Sequence, residues 1–128
     1  MKFTEHRDSN VKTIKRYQAG EVQVNDERFH SSLYMSQKQV FSDWQCHHIS
    51  ALSEANLNPI LEQKPEVIIL GTGETQIFPD PKLFAYCVHQ GIGLEVMAND
   101  AACRTYNILT TEDREVVLAL IMTNEQNQ

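Results

Sequence analysis

Pro65-Glu66-Val67-Ile68-Ile69-Leu70-Gly71-Thr72-Gly73 is the stretch from which the fold can be read. A short, wholly apolar, β-branched run that ends in Gly-x-Gly reads as a buried strand stopping at a sharp turn. Such strands lie where helices cover both faces of a sheet, and the loop that follows them is a common place for binding.

Downstream, Asp80 predicts a helix cap with Pro81 at the first position. Leu83, Phe84, Cys87 and Val88 are its expected apolar face, and Gly91 its end. Ile92 to Met97 reads as a second buried strand, and Asn99 or Asp100 as the start of a third helix carrying Ala102, Tyr106 and Leu109 on one stripe. Glu115 to Met122 opens with β-branched residues, which favours strand, although its length allows helix. Upstream, Ser50 or Ser53 caps a helix containing Leu52, Leu57, Ile60 and Leu61, kinked by Pro59 or beginning late at Asn58. Between Thr13 and Phe41, apolar residues tend to alternate and turn residues punctuate them, predicting a meander of three or four antiparallel strands. Trp44 and Ile49 are expected to seat its end on the core. The fold class is therefore α/β: one domain over residues 1–128, a mixed β-sheet with an N-terminal antiparallel β-meander, and helices packed around the sheet. Residues 1–10 and 123–128 are read as flexible tails.

At 128 residues, with 41% hydrophobic and 22% charged residues, the chain suits a single globular domain. A net charge of −6 argues against a nucleic-acid groove or an anionic membrane surface as partner. Lys12, Lys15 and Arg16 read as a solvated strand face. No apolar run is long enough to span a membrane, and the charged start from Met1 to Asn10 resembles neither a secretory signal nor an organelle leader. Three widely spaced cysteines suit free thiols in a reducing compartment, so the cytoplasm is expected.

Chemistry is sparse. Gly71-Thr72-Gly73 begins like a dinucleotide fingerprint, but Gln76 stands at the third glycine and Phe78-Pro79 separates the loop from the next helix. No phosphate-loop Gly-Lys-Ser/Thr follows. Cys46-His47-His48 has no second pair at zinc spacing. Cys103, near a helix start, is a candidate for a lowered thiol pKa, though no histidine is marked as its base. No metal and no cofactor are expected. If helical, the segment from Asn99 brings Asp100, Arg104 and Asn107 or Ile108 to one face, as an i,i+4 ion pair or as a polar cluster beside Gly71–Gly73.

A resemblance becomes specific at this point. Leu70-Gly71-Thr72-Gly73, Gly91-Ile92 with Glu95-Val96-Met97, Ala101-Ala102-Cys103-Arg104-Thr105-Tyr106-Asn107-x-Leu109 and Glu112-x-Arg114 together resemble one family of small domains. It is the family of mitochondrial respiratory complex I assembly factor 3, the adipogenesis-associated protein of animals, and many uncharacterised bacterial and archaeal proteins. The resemblance runs from about Ile14 to Ile121 and implies a compact α/β fold with a mixed sheet, no established enzymatic activity and no cofactor.

The expected function is a non-enzymatic protein-interaction or assembly-factor-like domain with a protein partner or as a homodimer. The alternative is a small-molecule or anion-binding protein, or a cryptic enzyme, using the Gly71–Gly73 loop and an Arg104/Asn107/Arg114 cluster. Candidate ligand or interaction residues are Gly71, Thr72, Gly73, Asp100, Arg104, Tyr106, Asn107, Glu112 and Arg114. Arg104 is expected to be semi-buried and fixed by Asp100 or by carbonyls of the loop. Gly73 is expected to have positive φ or to face a close backbone. The meander is expected to expose Tyr17, Tyr34 and Phe41 as its contact surface.

Overall fold

The computed structural model describes residues 11–123, so most of the two expected tails lies outside the described residues. Strand β6 (Val67–Gly71) is buried at every position and forms the spine. It pairs in parallel with β7 (Gly93–Met97) on one side and β8 (Val116–Leu120) on the other. Antiparallel β4 (Leu33–Met35) and β5 (Val40–Phe41) extend the far side, giving the order β5-β4-β8-β6-β7. A separate three-stranded sheet is built from β1 (Ile14–Gln18), β2 (Glu21–Val24) and β3 (Glu27–Phe29).

Alternation along the strands feeds two cores, one on each face of the main sheet. Ile68, Leu70, Val117, Ala119 and Ile121 pack with Leu57, Ile60, Leu83 and Cys87 of α1 (Glu54–Leu61) and α2 (Pro81–Val88). Val67, Ile69, Val116, Leu118 and Leu120 pack with Ala102, Cys103 and Tyr106 of α3 (Asn99–Thr111) and with Ile14, Val22 and Val24. The small sheet is thus part of the layer that covers the second face.

Several expectations change. The meander is five strands divided between two sheets, because β4 is buried on both sides and must sit inside the main sheet. Tyr34 is buried accordingly, stacked on Phe41 at 4.7 Å and edge-on to Trp44 at 6.2 Å, while Tyr17 and Phe41 are half-buried. Helix α1 starts at Glu54 rather than Asn58: the Ser53 hydroxyl accepts the Asn56 amide, and the Asn56 side chain accepts the Ser53 amide. This reciprocal cap starts the helix before Pro59. Asp80 caps α2 with Pro81 first, but Val88 is 62% exposed because Leu83 and Cys87, one turn apart, take the core-facing positions. Strand β7 is an edge: Leu94 and Val96 are buried and Gly93 and Glu95 are exposed. The last apolar run is strand, paired with β6 and β4.

Asn107 and Tyr106 fasten the small sheet to α3. The Asn107 side chain accepts the Ile14 amide at 3.0 Å and donates to the Ile14 carbonyl at 2.8 Å, as a neighbouring strand would. The buried Tyr106 hydroxyl donates to the Lys12 carbonyl at 2.8 Å. Asn107→Ala leaves both Ile14 groups unpaired and is expected to cost about 1–3 kcal/mol. Urea unfolding measures the cost, and amide exchange at Ile14 should accelerate. Unchanged protection at Ile14 would contradict this fastening.

Candidate functional site

Strand β6 leads into α2 on one face and β7 leads into α3 on the other, so their carboxyl ends diverge where α/β sheets commonly form a crevice. Here Asn99 closes it. Its amide donates to the Gly73 carbonyl at 2.8 Å, and its side-chain oxygen accepts the Gly73 amide at 3.0 Å. Its side-chain nitrogen donates to the Ile121 carbonyl and the Tyr17 hydroxyl, both at 3.0 Å. Asn99 is 1% exposed.

The glycines follow from this arrangement. A Cβ on Gly71 would stand 2.2 Å from Asn99 Oδ1 and 2.8 Å from Leu120 Cδ2, so nothing larger fits. Gly73 has φ +110 with open space around it, so backbone conformation alone calls for glycine there, as expected. Thr72, also buried, donates its hydroxyl to the Thr75 carbonyl at 2.6 Å and accepts the Ile77 amide at 3.0 Å. Its own amide bonds to the Met97 carbonyl, and Gln76 donates to the Val96 carbonyl. The amides of Thr72, Gly73 and Ile77 are therefore committed inside the protein.

The open space lies on the β8 side of this loop, in a cleft of about 490 Å³ whose lining includes Tyr17, Glu74, Thr75, Ile77 and Met122. Tyr17 arrives there through a bulge: β1 pairs Ile14 with Val24 but Tyr17 with Val22, skipping one residue between Ile14 and Arg16. The skip puts Ile14 and Tyr17 on one face despite their spacing of three. The Tyr17 hydroxyl donates to Glu74 and accepts from Asn99. Burial, then the bond to Glu74, push its phenol well above the usual tyrosine range, with the Asn99 bond acting in the opposite direction.

The sequence-predicted residues divide into three places. Gly71, Thr72 and Gly73 form the loop just described. Asp100 and Arg104 pair at 3.7 Å on the exposed side of α3, with side chains 62% and 69% exposed, rather than in the expected semi-buried setting. They line a shallow groove with Lys15, Arg16 and Asn107, separated from the cleft by Tyr17, which borders both. Arg114 donates to Glu66 at 3.2 Å beside the start of β6, and Glu112 ends α3 near it. Glu66 and Gly71 bracket a strand, so Arg114 and the glycine loop stand on the order of 16 Å apart. Strand direction keeps them from sharing a site. Tyr106 and Asn107 are engaged with β1.

Sequence reasoning placed Tyr17 on the contact surface of the meander and missed its position beside the glycine loop, together with Glu74 and the side-chain role of Asn99. The signal for Tyr17 was its three-residue spacing from Ile14 in an otherwise alternating strand. Cys103 is corrected too: burial, followed by the Asp100 charge, pushes its thiol up to about 12, with Arg104 acting in the opposite direction. Burial pushes Cys46 up to about 11 and also raises Cys87. Among the described residues no group of three or more His, Cys, Asp and Glu is placed to hold a metal ion.

Two outcomes follow from this geometry. Asn99→Asp keeps the shape but removes both donors and sets a carboxylate against the Ile121 carbonyl, so a loss of about 3 kcal/mol or more is expected. The urea midpoint tests it, and an unshifted midpoint would remove Asn99 from its central role. The thiols should resist a disulfide reagent at pH 8 in the folded protein and react on unfolding. Because the folded Cys103 thiol titrates near 12 and the unfolded one near 9, the unfolded state loses its proton first. Stability from this group is therefore complete below pH 9 and falls as pH rises from 9 to 12.

The chain resembles proteins of several organisms. A Francisella tularensis protein named "13 kDa major membrane protein" is 33% identical over 110 residues, covering 84% of this chain and 89% of that protein. The Xenopus tropicalis protein named "NADH dehydrogenase [ubiquinone] 1 alpha subcomplex assembly factor 3" is 31% identical over 70 residues, covering 55% of this chain and 38% of that one. The solution structure of a Xanthomonas campestris protein superimposes with a TM-score of 0.81 at 36% identity, over 95% of this chain and 92% of the other. Among the described residues no helix is long and apolar enough to cross a membrane. A family model spans residues 14–121, nearly all of the described fold, and the chain belongs to the family described as "Protein of unknown function (DUF498/DUF598)".

Proposed function

We propose that this domain is a protein-interaction module of the assembly-factor kind and that its contact centre is the loop between β6 and α2. The observation that carries the reading is the pair Ile77 and Phe78, exposed by 45% and 66% on a loop that side chains hold in place. The Thr72 hydroxyl fixes the Ile77 amide, Gln76 fixes the loop to β7, and Asp80 with Pro81 starts the helix beyond. A large aromatic displayed from a braced loop loses little conformational freedom on binding, which is what an interface anchor requires. The animal assembly-factor relatives agree with this reading. The three buried free thiols support a cytoplasmic setting.

The polar groups beside the cleft support binding over catalysis. Tyr17 is engaged with Glu74 and Asn99, Thr72 with its own loop, and the tyrosine proton is held more tightly than usual. None of them is poised as a base or nucleophile near neutral pH.

Size-exclusion of the tagged chain in native extract, together with photo-crosslinking from position 78, tests the proposal. Wild type is expected in a complex, with one predominant adduct. Phe78→Ser should release it at unchanged melting temperature, while Val88→Ser, removing an equally exposed apolar side chain elsewhere, should not. A strictly monomeric chain giving no adduct from position 78 would overturn the assignment.

A further inference from the structure

The cleft beside the loop has a chemistry of its own, independent of the Phe78 surface. At about 490 Å³ it is within the range of small-ligand sites, and it has an apolar side at Ala19, Ile77 and Met122. Among the described residues that line it, Glu74 is the one Asp, Glu, Lys, Arg or His. Its carboxylate is held in place: Oε2 accepts the Tyr17 hydroxyl, and that hydroxyl is itself fixed by Asn99. Oε1 makes no hydrogen bond among the described residues and remains as an acceptor. The amides of Thr72, Gly73 and Ile77, which would have served an anion, are occupied.

We propose that this cleft binds a cationic group on an apolar stem, an alkylammonium or alkylguanidinium, with the charge against Glu74 and the stem against Ile77 and Met122. A cation at Glu74 makes a charge-assisted hydrogen bond, while an anion there meets a fixed like charge and finds those three loop amides already paired. The preorganised carboxylate need not be reoriented on binding. This reverses the sign of the ligand expected from the Gly-x-Gly motif. Two sources share the chemistry: a free small amine, and a lysine or arginine side chain of a partner protein.

The test is a titration of the intact chain with n-butylammonium, n-butylguanidinium and butyrate, followed by amide shifts of Gly73, Glu74 and Thr75. Saturable shifts are expected with the two cations and not with butyrate. Glu74→Gln keeps an acceptor for Tyr17, so its melting temperature should hold while cation affinity falls about tenfold. A short peptide carrying one central lysine separates the sources. Tighter binding than n-butylammonium assigns the site to a protein side chain, and weaker binding to a free amine. Butyrate binding as well as the cations, a comparison that needs only the wild-type chain, would overturn the proposal. So would cation affinity undiminished in Glu74→Gln.

Discussion

The buried amide of Asn99 ties together three segments that the chain leaves far apart. It holds the loop after β6 through Gly73, the end of β8 through Ile121, and the small sheet through Tyr17. A buried side-chain amide has to satisfy both donors and its acceptor, and here all three are satisfied within the protein. The requirement propagates outward. Gly71 must lack a Cβ because Asn99 Oδ1 occupies that space, and Gly73 must adopt φ +110 to present its amide and carbonyl to the same residue. The Gly-x-Gly sequence is thus the counterpart of an asparagine at the start of α3.

This bracing determines where open space remains beside the loop. The crevice expected between diverging β6 and β7 is filled by protein–protein hydrogen bonds, and the open volume moves to the side of β8 and β1. The loop, fixed at Thr72 and Gln76, carries Ile77 and Phe78 outward. Ile77 borders the cleft while Phe78 is displayed to solvent, so an exposed aromatic side chain and the cleft lined by Glu74 lie next to each other on one segment. Among the described residues no buried side-chain polar atom lacks a partner, as expected of a scaffold whose interior is fully paired.

Much of this fold was legible because its causes are local. The β-branched run at Val67–Leu70, the Asp80-Pro81 helix start and the apolar run into Leu120 each act over a few residues, and each forms the expected element. The meander was read less well. Its turns could be placed, but β4 is separated from β3 only by the partner it finds in β8, a strand at the other end of the chain. Of the candidate residues, Gly71, Thr72 and Gly73 meet at one place because they are contiguous. Arg114 stands apart from them at the other end of β6, where it pairs with Glu66.

The sequence by itself determined the class of fold, the parallel strands with their helices, and the family. Period, caps and glycines report short-range sterics and burial, and these do not depend on which distant segment becomes the neighbour. Tertiary structure alone decided the cleft. Tyr17 and Asn99 are 82 residues apart, and Ile14 and Asn107 are 93 apart. Their hydrogen bonds leave no periodic trace, because each needs only an isolated polar group at either end, at positions that become special after the sheets have packed.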